Sequence, residues 1–243
     1  MIKYTRRVWV LLLLAAFQTH AHGSDEHSQI ADKIKKINPN MTVTHVRETP
    51  IPNIMEVEVN GSQLIYSSEN GDYIFTGQMV DISQGTNNNL TENRQQEIRS
   101  KLLSEMNPST FITFSAKGDE IGEVFVFTDT SCAYCQNFHK QIEAINEGGI
   151  SVHYIAFPRA GLNDPVASLM EKVWCASNPR AALTEAKLSG RVTQPAVPCQ
   201  APVAEHFQTG LKMGVHGTPY ILTTDGRKLG GYLSSDDLIS NFN

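Results

Sequence analysis

Cysteine is scarce in this chain, and long apolar runs are scarcer. Only four cysteines occur among 243 residues, all in the second half: Cys132, Cys135, Cys175 and Cys199. The count is even, so no odd thiol is left over. The one notable apolar run, residues 8–17, is about ten residues long, half of what a membrane span needs. Positive charge is also in short supply. Twenty Lys and Arg face 25 Asp and Glu, for a formal net charge of −5. A mildly acidic surface argues against a nucleic-acid partner and favours solubility. Haem attachment is excluded because Gln136, not histidine, follows Cys135.

What is present begins with an export signal. Lys3, Arg6 and Arg7 precede the apolar run, and Thr19-His20-Ala21 supplies small residues where a signal peptidase reads. Residues 1–21 are therefore expected to be a signal peptide. Too few apolar residues follow for an uncleaved anchor. Without the three basic residues the formal charge is −8. Export places the cysteines in an oxidising compartment, where pairs form disulfides. The chain ends Ser240-Asn241-Phe242-Asn243, with no retention tetrapeptide, so the periplasm is expected rather than the endoplasmic reticulum.

About 220 residues remain after cleavage, enough for two domains. Ile30, Ile34 and Ile37 sit at helical spacing before Asn38-Pro39. Residues 54–59 then alternate apolar and polar, and Asn60-Gly61 and Asn70-Gly71 turn into further alternating runs. Asn-Gly between such runs signals hairpins. Residues 22–84 thus read as one helix and an antiparallel meander, small enough to need a partner copy. Residues 85–108 read as a polar linker and a solvated connector helix, capped at Thr91 and striped by Ile98, Leu102 and Met106. Residues 109–243 give strand, helix, strand, a helical insertion from 165 to 213, two strands and a last helix. A single helix is expected from Cys132 to about Ile145.

The chemistry centres on Cys132-Ala133-Tyr134-Cys135. The motif follows a β-rich run, residues 121–127, and opens a helix whose N-terminus favours a thiolate. Two thiols at that spacing suit thiol–disulfide exchange. A C-x-x-C beside a βαβ pattern, with Thr218-Pro219 opening a later strand, resembles the thioredoxin superfamily. That resemblance implies a cis proline at Pro219 lying against the disulfide, with the Thr218 backbone offered to substrate. The segments at residues 127–135, 154–159 and 214–219 narrow it. They resemble those of the periplasmic disulfide isomerases DsbC and DsbG, over nearly the whole mature chain.

The resemblance implies an α+β fold: a thioredoxin-like catalytic domain with a helical insertion, joined by a linker helix to a small cystatin-like, β-rich dimerisation domain. It implies a V-shaped homodimer, misoxidised exported proteins as clients, and a membrane reductase of the DsbD type as electron donor. No cofactor or metal is implied. Cys132 and Cys135 become the catalytic pair, with Ala133, Tyr134, Thr218 and Pro219 contacting substrate. Cys175 and Cys199 fall where the family holds a structural disulfide. Their loop of about 25 residues is worth roughly 3.5 kcal/mol on the loop-entropy account. One position departs from the family pattern: Ala133 stands where glycine is usual, which stiffens the helix start.

Thiol chemistry then assigns Cys132, expected to be the more exposed sulfur, as nucleophile, with Cys135 releasing a stalled client. Resemblance, not spacing, selects isomerase over oxidase. The rival readings are a four-cysteine zinc site, a thiol-protecting chaperone of the DsbG kind, and a DsbA-like oxidant. Among weaker candidates, Asp129 would cap the helix or tune Cys135, Arg159 would be structural, and His139 would be a solvated helix residue.

Overall fold

Period-two alternation in the first domain buries one face of a small sheet. The computed structural model describes residues 23–242; the expected signal peptide lies outside the described residues. Helix α1 (Gly23–Ile37) packs Ile30 and Ile34 against Met55, Val57 and Val59 of β2 (Ile54–Val59) and Ile65 of β3 (Gln63–Ser68). Ile37, expected on the same stripe, ends the helix and faces solvent. Strands β1 (Val43–Glu48), β2, β3 and β4 (Ile74–Phe75) form an antiparallel sheet in sequence order. Asn60 and Gly61 both take positive φ, 54° and 84°, which is why Asn-Gly makes that turn.

The linker differs from the solvated connector expected of it. Residues 84–89 are not all loop. Asn88–Asn89 (β6) pairs with Val80–Asp81 (β5) in a short ribbon. Helix α2 (Leu90–Glu105) is capped by Asn89, whose side chain accepts from the Glu92 N–H at 3.0 Å. Thr91 does not cap. Its hydroxyl lies 2.5 Å from Tyr66 Oη and accepts from the Met79 N–H at 2.7 Å, tying the helix to the first domain. The other end is tied as well. Arg99, 3% exposed, donates from Nε to the Gly226 carbonyl at 2.8 Å. Leu103 and Met106 join a core cluster with Phe127, Phe157 and Val215.

The second domain is built on a five-stranded sheet in the order β11-β10-β8-β9-β7. Its strands are β7 (Ile112–Phe114), β8 (Gly122–Thr128), β9 (Ile150–Ala156), β10 (Tyr220–Thr223) and β11 (Lys228–Gly230). β8 and β9 are parallel and the other pairs antiparallel. The edge strand β7 was not anticipated, because three residues are too few to show alternation. The single helix expected after the C-x-x-C is two, α3 (Ala133–His139) and α4 (Ile142–Glu147). They part at Gln141, whose side chain is drawn away to Tyr232 Oη (3.0 Å) and the Ser235 N–H (2.9 Å). Helices α5 (Pro165–Trp174), α6 (Pro179–Ser189) and α7 (Val203–Lys212) form the insertion, and α8 (Ser235–Ile239) closes the chain. Phe138, Ile145, Met170, Leu183 and Leu238 meet the sheet residues Val124, Val126, Val152 and Ile221 in the main core.

Candidate active site

β8 delivers the motif. Its last residue, Thr128, is followed by a tight loop in which Asp129 Oδ1 accepts from the Ser131 N–H and hydroxyl, both at 2.7 Å. Oδ2 of the same carboxylate accepts from the Arg159 N–H at 3.0 Å and Nε at 3.1 Å. Burial alone would push this carboxyl up; the hydrogen bonds from Arg159 and Ser131 outweigh it and hold the group below its ordinary range. Asp129 therefore locks the loop rather than facing Cys135.

Cys132 is the N-cap of α3, and Cys135 lies in its first turn. Both residues are buried, 2% and 1% exposed, so exposure does not separate them as expected. Cys132 is covered by the loop that leads into β10: its Sγ faces the Thr218 carbonyl at 3.1 Å, next to the cis Thr218–Pro219 bond. Around the pair, Ser131, Ala133, Tyr134, His216 and Gly217 are exposed. Tyr134 is 64% exposed, with its ring 6.2 Å from that of Tyr232.

Electrostatics separate the two thiols. A hydrogen bond from Cys135 is the largest influence on Cys132. Burial opposes it, and the Thr218 hydroxyl, the Cys135 N–H and the Arg159 charge add to it, leaving the thiol lowered to about 5. Cys135 goes the other way: burial, and then its bond to Cys132, push it far above the ordinary thiol range, against Lys187 and Thr128. The Thr218 hydroxyl makes no hydrogen bond of normal geometry, yet it lies close enough to both sulfurs to favour their thiolates.

Two residues near the site escaped the sequence, and a third, His139, was expected in solvent. Thr128 and Lys187 lie beneath Cys135, with Lys187 Nζ donating to Thr128 Oγ1 at 2.6 Å. His139 is 3% exposed rather than solvated, set between Tyr154 Oη and Thr184 Oγ1, each 2.9 Å away. Burial, and then the charge of Lys187, push it down to about 3. A signal for Lys187 existed: it continues the buried Ala182-Leu183-Ala186 stripe of α6. Lysines at such places usually bend out to water. Far from the motif, Cys175 and Cys199 are bonded to each other with Cα atoms 5.6 Å apart, so neither is free to ligate zinc.

Residues 19–92 match the disulfide bond isomerase protein N-terminal domain, and residues 108–242 match the thioredoxin-like domain. The thiol:disulfide interchange protein DsbC of Haemophilus influenzae is 33% identical over 240 residues, 96% of each chain. The chain belongs to the DsbC family. The DsbC protein of Pasteurella multocida is 35% identical over 213 residues, 87% of this chain and 88% of its own. Among solved structures, a disulfide interchange protein from Neisseria gonorrhoeae is 26% identical, with a TM-score of 0.49, covering 56% of this chain and 98% of that one. This member of the DsbC family is a thiol:disulfide isomerase of α+β fold, with a thioredoxin-like domain behind the isomerase N-terminal domain.

Proposed function

We propose that Cys132 attacks wrong disulfides in exported proteins and that Cys135 ends the reaction when rearrangement stalls. In the first step the Cys132 thiolate forms a bond to one client sulfur, and the other client sulfur leaves as a thiolate. That thiolate attacks a further bond, and the net result is rearrangement. When it does not, Cys135 attacks Cys132 Sγ, the mixed disulfide breaks, and the client leaves reduced. Ala133, Tyr134, Thr218 and Pro219 form the surface a client chain meets. Isomerisation needs Cys132 reduced at the outset, so a membrane reductase of the DsbD type supplies electrons in the periplasm. Residues 22–84 join two copies, residues 85–108 connect, and residues 109–243 carry the reaction.

The observation that supports this assignment is the opposed tuning of two adjacent thiols. Cys132 is ionised at neutral pH while Cys135 keeps its proton. A good attacking and leaving sulfur beside a reluctant one favours a dithiol that starts reduced. The test is refolding of a scrambled multi-disulfide protein. Cys132→Ala is expected to abolish rearrangement, and Cys135→Ala to reduce it only in part. Full activity in Cys132→Ala overturns the nucleophile. Fast oxidation of a reduced client without rearrangement points instead to a DsbA-like oxidant.

A further inference from the structure

Among the described residues, no carboxylate pairs with the buried amine of Lys187. It is 2% exposed, and its one hydrogen bond goes to the neutral hydroxyl of Thr128 at 2.6 Å. Its Nζ also stands 5.3 Å from the centre of the Tyr154 ring. The nearby carboxylate of Asp129 is already engaged by Ser131 and Arg159. An ammonium buried without an anion is strongly disfavoured, so the side chain is either neutral or awaiting one.

The Thr128 hydroxyl supplies the link. A hydroxyl has one proton to give and two lone pairs. One lone pair receives Lys187, and the same hydroxyl is a neighbour that favours the Cys135 thiolate. Lys187, Thr128 and Cys135 therefore form a line ending on the reluctant thiol. We infer that Lys187 is a positioning residue that takes the Cys135 proton through Thr128 when Cys135 displaces a client from Cys132. The inference rests on the reading of Cys135 as the releasing thiol.

Atoms and electrons balance as follows. The Cys135 S–H proton passes to the Thr128 oxygen as the Thr128 proton passes to the neutral Lys187 amine. The Cys135 sulfur pair forms the Cys132–Cys135 bond. The Cys132–client bond breaks, and its pair leaves on the client sulfur, which takes a proton from water. Cys135 is oxidised and the client sulfur reduced. With the thiolate consumed, the Lys187 ammonium again lacks an anion and gives up its proton.

Competing groups are silent over the working range. From α3, His139 is pushed down to about 3 by burial and by Lys187 itself. From β9, burial pushes Tyr154 far up. Asp129 is held low, and Arg159, beyond β9, stays charged. None of these four groups changes its charge between about pH 6 and 9. Burial, against the charge of Cys135, lowers Lys187 to about 8.

The test follows reduced full-length protein mixed with fluorescently labelled oxidised glutathione. Attack by Cys132 releases the first label at a rate that scales with probe concentration. Release by Cys135 frees the second at a rate that does not. The readout is the ratio of second to first rate constants against pH. In the natural sequence this ratio rises through about pH 8. Lys187→Met is expected to lower it on the order of 100-fold at neutral pH, the lower end for a positioned base, and to move the rise to higher pH. Thr128→Val keeps the test open should Lys187→Met fail to fold, and is expected to give the same loss. A natural ratio and pH profile in either folded variant overturns the inference. A second phase that persists at full rate in Cys135→Ala overturns the underlying reading instead.

Discussion

Cys132 shows how far one side chain can be moved by its neighbours. An ordinary thiol value near 9 falls to about 5, with the hydrogen bond from Cys135 the leading cause. Because the folded value is depressed, the reduced fold gains stability that is fully present above about pH 9 and is lost as pH falls through about 5. Alkylation of Cys132 by iodoacetamide, followed by mass, should therefore stay level from pH 9 down to about 6 and halve near 5. Halving near pH 8 contradicts the assignment. Asp129 makes a second residue-scale case. Replacing it by Asn leaves one oxygen to do the work of two and should cost on the order of 1–3 kcal/mol at pH 7, read from urea midpoints. Its carboxyl is held low, so that stabilisation is present above about pH 4 and is lost as pH falls through the lowered value. The gap between Asp129→Asn and the natural chain should close in acid. The Cys132–Cys135 motif was legible in local spacing, whereas the cis Thr218–Pro219 bond was expected only from the family resemblance. His139 and Lys187 were not legible, because tertiary packing alone decides whether a helical His or Lys meets water.

Elements were legible where a period repeats and illegible where a side chain from elsewhere breaks it. The meander of β1 to β4 follows from alternation and two Asn-Gly turns. The α3–α4 break falls at Gln141, whose side chain meets Tyr232 and Ser235, more than 90 residues on. Helix α2 is the sharper lesson. Its polar surface predicts a solvated rod, yet Arg99 and Thr91 spend their polar groups on holding the two domains. Gly226 makes the Arg99 contact possible. It sits at φ +80°, and a Cβ there would come within 2.4 Å of the Gln96 carbonyl and 2.5 Å of the Ser100 N–H. Both the conformation and the close approach need glycine. Gly226→Ala should therefore destabilise by more than about 1 kcal/mol and loosen α2 from the catalytic domain. Unfolding midpoints read the first effect, and faster proteolysis within residues 90–105 reads the second. Unchanged proteolysis means the helix is held by Leu103 and Met106 alone.

At the scale of the whole molecule, an unpaired edge decides how two active sites relate. The N-terminal sheet ends at β4, where Tyr73, Ile74 and Phe75 are 69%, 40% and 49% exposed. Ile51, Val80 and Ile82 are exposed too, and Ile51, Phe75, Met79 and Val80 line a cavity of about 420 Å³ with Tyr66. An apolar sheet edge left in water invites a second strand. The proposed homodimer is expected to form through this surface. Phe75→Asp puts a charge there without touching the catalytic domain, and mass by light scattering should fall from two chains to one. The two activities should then part. On the proposed mechanism, reduction of a small disulfide needs only Cys132 and Cys135 and should persist. Rearrangement in a large client needs the client held between attacks, and it should drop. The clamps on α2 sharpen the expectation. Arg94 reaches Glu58 at 3.3 Å on the domain side, and Arg99 reaches Gly226 on the catalytic side. Each catalytic domain is thus fixed to its own N-terminal sheet, so pairing two sheets also fixes the span between two Cys132 sulfurs. A monomeric Phe75→Asp protein that rearranges disulfides at full rate shows that one site suffices. A variant that stays dimeric moves the interface away from β4.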